Sequence, residues 1–275
     1  MNTKNDLNTE NESRIKRLWS YFTPYERTWY ICVLILAGIF AVLFPEEDVN
    51  GVHGSLIMAL YLAYTFLNVT CELLISKQSK WNFIVSIFIE LTEITIFVLL
   101  SYRFATMLTT LFFWLPIDII SFLSWRKHPD REKQELTQVR GLTGRQHIAV
   151  IAGIVIWTIL VGGIMCYVTE NITVTTLFEG RRDVEIIVCY LDAMISALDI
   201  ANGTFILLRY REQWIAWYLE VTLDAIALIL AGQYTLLVLT AAYLTNTTYG
   251  YIKWSRYARE HADRNSSGHK GTVPL

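Results

Sequence analysis

Eight apolar stretches, each close to the length that a membrane-crossing helix requires, follow one another along this chain. A helix needs about 20 mostly apolar residues to cross about 30 Å of hydrocarbon. Since 53% of the residues are hydrophobic and only 17% are charged, the chain cannot supply the surface of a soluble globule. It is therefore predicted to be an all-α integral membrane protein with eight transmembrane helices. The predicted spans are 28–44, 52–75, 82–100, 105–125, 147–168, 186–208, 214–231 and 234–254.

Positive charge is confined to alternate connections between these stretches. All but Arg103, Arg181 and Arg182 of the 23 Lys and Arg lie in the tails, around Lys77, in the loop 126–145 and at 209–211. Cytoplasmic loops are the ones enriched in Lys and Arg. Both termini are therefore predicted to be cytoplasmic, in a multi-pass membrane protein.

Two groups of three spans carry the same boundary residues, in the same order. In the first group they are Trp81, Tyr102 and Trp125, and in the second they are Trp214, Tyr234 and Trp254. Two three-helix units with the same orientation need one more span between them, so the arrangement is three plus one plus three. Parallel repeats of this kind are a transporter architecture.

The repeat divides the chain into five parts. They are a tail with an extra N-terminal helix at 1–51, the first repeat at 52–125, a basic loop with the linker helix at 126–168, the second repeat at 169–254, and a tail at 255–275.

Eight acidic residues lie inside the predicted spans, which contain no Lys or Arg well inside them. A charged side chain in a bilayer is costly, so such residues usually face a wet cavity or a counter-ion. The interior is expected to be acidic and to receive a cationic ligand or protons. The alternative is that individual acids are protonated or hydrogen-bonded to neighbouring helices. The acids are Glu72, Glu90, Glu93, Asp118, Asp192, Asp199, Glu220 and Asp224.

Trp214 and Trp217 share one helix face because they are three residues apart. Two electron-rich rings so placed can stack on a flat, cationic heterocycle. A pair of interfacial belt residues is the alternative interpretation.

Several segments together resemble the PnuC vitamin-transporter family, over nearly the whole chain. The most specific are 209–217, with its Trp-x-x-Trp pattern, and 246–254; supporting segments are 23–27, 190–193 and the Pro116 span ending at 125–128. The resemblance implies a SWEET-like 3+1+3 bundle with an extra N-terminal helix, no cofactor, and no enzymatic activity. It also implies facilitated uptake of a vitamin precursor, typically nicotinamide riboside, without coupling to ions or ATP and with cytoplasmic phosphorylation as the trap. The substrate-binding residues that follow from the resemblance and the acids are Trp214, Trp217, Asn246, Asp118, Glu90, Asp224 and Tyr249.

The chain departs from the nicotinamide riboside pattern at three positions. Val221 replaces an Asn, Asp118 a Gln, and Glu90 an Asn. Added carboxylates suit either cationic ring, nicotinamide riboside or thiamine. Relatives that carry riboflavin or deoxynucleosides keep those substrates open as alternatives.

Two other functional classes are weighed against transport. A membrane-embedded enzyme would need a catalytic set, and no HExxH or GxSxG motif is present. A non-transporting scaffold or sensor would not need eight intramembrane acids. The expected partners are a small-molecule vitamin precursor and the lipid bilayer, not nucleic acid, and a homo-oligomer is left open.

Overall fold

Helices form nearly all of the described structure, a computed structural model that covers residues 22–76, 79, 81–127, 141–171, 177–178, 180–208, 210 and 212–268. The helices are α1 (Pro24–Leu43), α2 (Gly54–Ser76), α3 (Trp81–Leu100), α4 (Phe104–Thr109), a π-helical segment (Thr110–Trp114), α5 (Leu115–Lys127), α6 (Gly144–Asn171), α7 (Arg182–Leu208), α8 (Gln213–Ala231) and α9 (Tyr234–Gly268). Each apolar stretch of the sequence thus lies in helix, and the all-α class is confirmed.

Six helical runs in this part of the chain are long and apolar enough to cross a membrane. They are Pro24–Leu43, Gly54–Ile75, Trp81–Leu100, Phe104–Leu123, Gly144–Asn171 and Gln213–Ala231. The other two predicted spans also lie in long helices, but α7 carries Asp192 and Asp199, and α9 continues into a polar tail.

The start of α1 is fixed by a capping box. The Thr23 hydroxyl accepts a hydrogen bond from the Glu26 backbone N–H, and the Glu26 carboxylate accepts one from the Thr23 N–H at 2.8 Å. Pro24 occupies the first turn, where its missing N–H leaves no helical hydrogen bond unmade. The helix therefore begins four residues before the predicted apolar stretch.

Consecutive helices make the most extensive contacts, between α6 and α7, α7 and α8, and α2 and α3, while α9 packs on α8, α1 and α2. One buried apolar cluster joins α2, α3, α8 and α9 and includes Tyr61, Phe97, Tyr102 and Leu228. A second contains Val33, Val69 and Val238 and holds the N-terminal helix against α2 and α9.

Large apolar side chains of α6 are exposed, among them Ile148, Ile151 and Leu160, each at least 60% accessible. In water such a surface would be unfavourable, whereas lipid tails cover it without cost. The outer faces of the bundle therefore fit a bilayer.

The fourth apolar stretch is not one uniform α-helix. The Leu115 N–H donates to the Thr110 carbonyl, five residues back, at the end of the π-helical segment. Pro116 follows directly and has no N–H to donate to the carbonyl four residues earlier. π-helical turns are frequent at functional sites, and this one directs Thr110 and Trp114 towards acidic side chains.

Candidate functional site

A cluster of aromatic rings lies at the N-terminal end of α8. The rings of Trp214 and Trp217 are within 10° of parallel, with their centroids 6.4 Å apart, and Tyr251 of α9 meets Trp214 edge-on at 5.8 Å. A flat ligand ring can stack on such indole faces. The predicted common face of the two tryptophans is thus present.

Glu212 ties the beginning of this helix to the segment before α6. Its carboxylate accepts a 3.1 Å hydrogen bond from the Leu142 N–H and lies 3.8 Å from the His147 ring. The Glu212 side chain is 7% exposed, so the anchor is buried. It fixes the position from which Trp214 projects two residues later.

A cavity of about 50 Å³ lies between α2, α3, α8 and α9. Its charged lining side chains are Glu93, Arg103 and Asp224, and Tyr64 and Tyr243 add hydroxyl groups. Leucine, isoleucine and phenylalanine side chains complete the wall. An apolar wall with a few convergent polar groups is the kind of lining found in small-molecule sites.

Arg103 forms ion pairs with two acidic residues beside this cavity. Its Nη1 lies 2.7 Å from Asp224 Oδ1, and its Nε lies 3.5 Å from Asp192 Oδ1. The guanidinium also stands over the Phe97 ring, 5.1 Å from the centroid. The sequence placed Arg103 in an external loop and left the interior acids unpaired. That expectation is wrong for Asp192 and Asp224, because the Arg103 side chain is only 6% exposed and turns inwards.

Asp192 also caps the start of α4. Its carboxylate accepts hydrogen bonds from the Ala105 N–H at 2.8 Å, the Thr106 N–H at 3.2 Å and the Thr106 hydroxyl at 2.5 Å. The first N–H groups of a helix have no partner within it and favour negative charge. Asp192 of the second predicted repeat thus holds the last span of the first.

Glu93 is held by neutral donors. The Tyr64 hydroxyl donates to one of its carboxylate oxygens and the Thr110 hydroxyl to the other, both at 2.8 Å. Thr110 is the first residue of the π-helical segment, and Trp114 at its end lies beside Asp199. The π-helical segment therefore lies beside two acidic residues, Glu93 and Asp199.

Glu90 and Asp118 form a separate carboxyl pair between α3 and α5. Both are buried, at 5% and 8% exposure, and their side chains interact with each other and with Ser86. Two carboxyl groups can share a hydrogen bond only when one of them carries a proton. When they share such a bond, the pair holds at most one negative charge.

The two α9 residues of the predicted site lie on different neighbours. The Asn246 amide donates to the Glu72 carboxylate of α2, and the Tyr249 ring stacks on Tyr25 of α1 with centroids 4.6 Å apart. In both cases the contact joins α9 to another helix. Nothing in this arrangement brings Tyr249 to Asp224.

One face of α8 leads from the aromatic cluster to the cavity. Trp217, Glu220 and Asp224 are spaced at i, i+3 and i+7, so they follow one another along that face over about 10 Å. Glu220 is 3.5 Å from the Asn202 amide of α7. Of the predicted residues, Trp214, Trp217 and Asp224 thus share this path.

The residues missed by sequence reasoning are Arg103, Tyr64, Thr110 and Trp114, while Glu93 was identified only as one of the intramembrane acids. Their roles depend on pairings between distant parts of the chain. Pro116 was the one available signal, because it breaks the helical hydrogen-bond pattern beside Thr110 and Trp114.

Comparison with known proteins identifies the family. The model of the nicotinamide mononucleotide transporter family matches residues 58–256. The nicotinamide riboside transporter PnuC of Neisseria mucosa is 24% identical over 259 residues, covering 90% of this chain and 87% of that protein. PnuC of Haemophilus influenzae is 23% identical over 247 residues, covering 87% of this chain and 93% of that one.

A solved structure has the same fold. The crystal structure of the vitamin B3 transporter PnuC superposes with a TM-score of 0.55 at 21% identity, over 87% of this chain and 94% of that chain. The family model covers well over half of the present sequence. The resemblance found in the sequence is thereby confirmed, and the chain belongs to the nicotinamide mononucleotide transporter family of membrane transporters.

Proposed function

We propose that this protein carries nicotinamide riboside across the bacterial cytoplasmic membrane by facilitated diffusion. The observation that supports this most is the parallel Trp214–Trp217 pair, which shares one face of α8 with the cavity residue Asp224. Nicotinamide riboside combines a flat, permanently cationic ring with a polar sugar. Such a ring stacks well on indole, and carboxylates along its path favour its charge.

The transport cycle that fits this substrate is alternating access between two three-helix units. The proposed architecture has eight spans, with α2 to α5 in the first unit, α6 as the linker, α7 to α9 in the second, and α1 as the extra helix. It keeps the five chain divisions given above and both termini in the cytoplasm. The cavity between α2 and α3 of one unit and α8 and α9 of the other supports it, since parallel-repeat transporters bind substrate between their halves.

The proposed binding set is Trp214 and Trp217 for the ring, and Asp224, Glu90 and Asp118 for its charge. Asn246 and Tyr249 belong to the set through their motif, and they lie one and two turns along α9 from the cavity residue Tyr243. Their present contacts with Glu72 and Tyr25 would have to open for direct contact with substrate. Phosphorylation of the imported riboside in the cytoplasm would make uptake effectively one-way.

Thiamine is the second candidate substrate, favoured by one observation. The Glu90–Asp118 pair places carboxyl groups where amides are expected for nicotinamide riboside, and thiamine is also a permanent cation with a second, aminopyrimidine ring. The paired carboxyls can accept hydrogen bonds from that amino group. Neutral deoxynucleosides and riboflavin would use the tryptophans but leave the acids without a partner.

A ligand panel on the purified protein tests the proposal. Thermal shifts and dissociation constants are measured for nicotinamide riboside, thiamine, riboflavin and a deoxynucleoside, followed by uptake into proteoliposomes. The proposal expects nicotinamide riboside to bind tightest and to equilibrate without an ion gradient. Tightest binding of thiamine would identify thiamine as the substrate instead. Binding without uptake would indicate a sensor.

A further inference from the structure

We propose that Arg103 is a tethered cation that occupies the cation site of the central cavity, so that a permanently cationic ligand competes with it for Asp224. This inference rests on the proposed transport of a cationic ring and adds a residue that sets its specificity. It assigns to Arg103 a role beyond holding the helices together.

The charge around the cavity shows why a second cation is expected there. Asp192, Asp224 and Glu93 surround one guanidinium, and the two hydroxyl donors that hold Glu93 are neutral. When all four groups are ionised, the site has an excess of negative charge. A cation entering the cavity is therefore attracted even while Arg103 is in place.

Asp224 is the carboxylate that an entering ligand can reach. Its side chain is 28% exposed and lines the cavity, whereas Asp192 is 2% exposed and held by the N-terminus of α4. Asp224 also stands on the α8 face that carries Glu220 and Trp217. The ion pair that a ligand would replace is thus the one at the cavity end of this face, about 10 Å from Trp217.

Arg103 lies in a short connection whose backbone is constrained. Ser101 and Arg103 both have left-handed backbones, at φ 53° and 54°, within the three residues that join α3 to α4. Between them, the Tyr102 hydroxyl donates to Gln233 at the turn from α8 to α9. This connection of the first unit therefore reaches across the cavity to the second unit, and Arg103 is its charged end.

The competition predicts opposite effects of Arg103 on charged and neutral ligands. Removing the guanidinium leaves Asp224 free for a cationic ligand but offers nothing to a neutral one. Nicotinamide riboside and its uncharged dihydro form have nearly the same shape and differ in charge. Comparing the two ligands therefore isolates the effect of the ligand's charge. A purely structural arginine would affect both ligands alike.

The experiment compares dissociation constants for both ligands in the wild type, Arg103→Ala and Arg182→Ala. Arg182 is the matched control, because it pairs with Glu170 and Glu185 at 3.2 and 2.9 Å but is 43% exposed. Arg103→Ala is expected to bind nicotinamide riboside about tenfold tighter or more, which corresponds to ~1.4 kcal/mol. Its affinity for the dihydro form and both affinities of Arg182→Ala should stay near the wild-type values. Unchanged or weakened binding of the cation by Arg103→Ala would overturn the proposal.

Arg103→Lys serves if the alanine variant does not fold. A lysine keeps the charge but is a point donor that cannot bridge both acids as the guanidinium does. Tighter binding of nicotinamide riboside, with no change for the dihydro form, is again expected. An unaltered cation affinity in this variant would count against competition.

Guanidinium ion provides a test that does not require the vitamin substrate. Millimolar guanidinium should raise the melting temperature of Arg103→Ala, whereas the neutral isostere urea should not, and neither should raise that of Arg182→Ala. If the wild type binds neither riboside, the proposed function fails, and this rescue still decides whether the cavity holds a cation. Equal effects of guanidinium and urea would show that it does not.

Discussion

The Thr110 hydroxyl donates a 2.8 Å hydrogen bond to the Glu93 carboxylate across the interface between the π-helical segment and α3. Thr110→Val keeps the volume and removes the donor, leaving one carboxylate oxygen without its hydroxyl. We expect a loss of about 1–3 kcal/mol, seen as a fall of several degrees in the melting temperature of the detergent-solubilised protein.

Thr95→Val is the control for this substitution. Thr95 lies on the same helix as Glu93, but its hydroxyl donates to the Leu91 carbonyl of its own helix. Its replacement should leave the melting temperature nearly unchanged. Equal losses in the two variants would mean that the contact with Glu93 contributes nothing particular.

The Glu90–Asp118 pair should decide how strongly charge matters for the substrate. Because two neighbouring buried carboxyls repel each other when both are ionised, Asp118→Asn alone lets Glu90 carry the remaining charge, so a moderate effect is expected. Glu90→Gln combined with Asp118→Asn removes that charge entirely. The double variant should lose affinity for nicotinamide riboside by about tenfold while binding of the dihydro form is retained.

Titration calorimetry with both ligands measures the difference. Asp183→Asn is the control, since Asp183 is an exposed acid in the first turn of α7. Parallel losses for the charged and neutral ligands in the double variant would assign the pair a structural role.

The connection between α1 and α2 predicts a pH dependence of stability. Burial, and secondarily the charge of Glu47, raises the pKa of Glu46 from 4.5 to about 7. The folded state therefore holds a proton that the unfolded state has already lost between these values, and stability falls as pH rises from about 4.5 to about 7. After allowance for its partial exposure, this group contributes about 1–2 kcal/mol to the change.

Glu46→Gln should remove this fall in stability between about pH 4.5 and pH 7. Glu47→Gln should leave most of the fall in place. Melting temperatures recorded from pH 5 to pH 8 test both variants. A wild-type profile that rises over this interval and is unaffected by Glu46→Gln would contradict the assignment.

Topology can be tested by cysteine accessibility in intact cells. In a background without the four native cysteines, Glu47→Cys should react with a membrane-impermeant maleimide and Asp130→Cys should react only after lysis. The reason is the confinement of Lys and Arg to the other set of loops. Protection at position 47 with labelling at position 130 would reverse the orientation. Position 130 lies outside the residues that the structure describes.

The helices and the common face of Trp214 and Trp217 could be predicted from the sequence because both depend on local spacing. An apolar run in lipid must satisfy its own backbone hydrogen bonds, and residues three apart on a helix share a face. The pairing of Arg103 with Asp192 and Asp224 could not be predicted in this way. It depends on a left-handed residue at the end of a connection and on partners 89 and 121 positions along the chain.

The same distinction explains the acidic residues. Their placement inside the spans follows from hydropathy, but which acid meets which partner depends on helix rotation and packing. Glu93 meets Thr110 because a π-helical segment adds a residue to the turn before Pro116. Glu90 meets Asp118 because α3 packs directly on α5. Neither pairing produces a periodic pattern that can be read from a single sequence.

Stacking of Trp214 and Trp217 on the substrate ring is tested by nicotinamide riboside binding to purified tryptophan variants. Trp81 is the control, because it begins α3 as the tryptophan pair begins α8 and is 58% exposed. Base–aromatic stacking is worth about 1–3 kcal/mol per contact, which corresponds to about five- to 150-fold in affinity. We expect Trp217→Ala to weaken binding within that range, Trp217→Phe to retain part of it, and Trp81→Ala to leave the dissociation constant unchanged. Unaltered dissociation constants for both Trp214→Ala and Trp217→Ala would contradict the stacking model and reduce the pair to interfacial anchors.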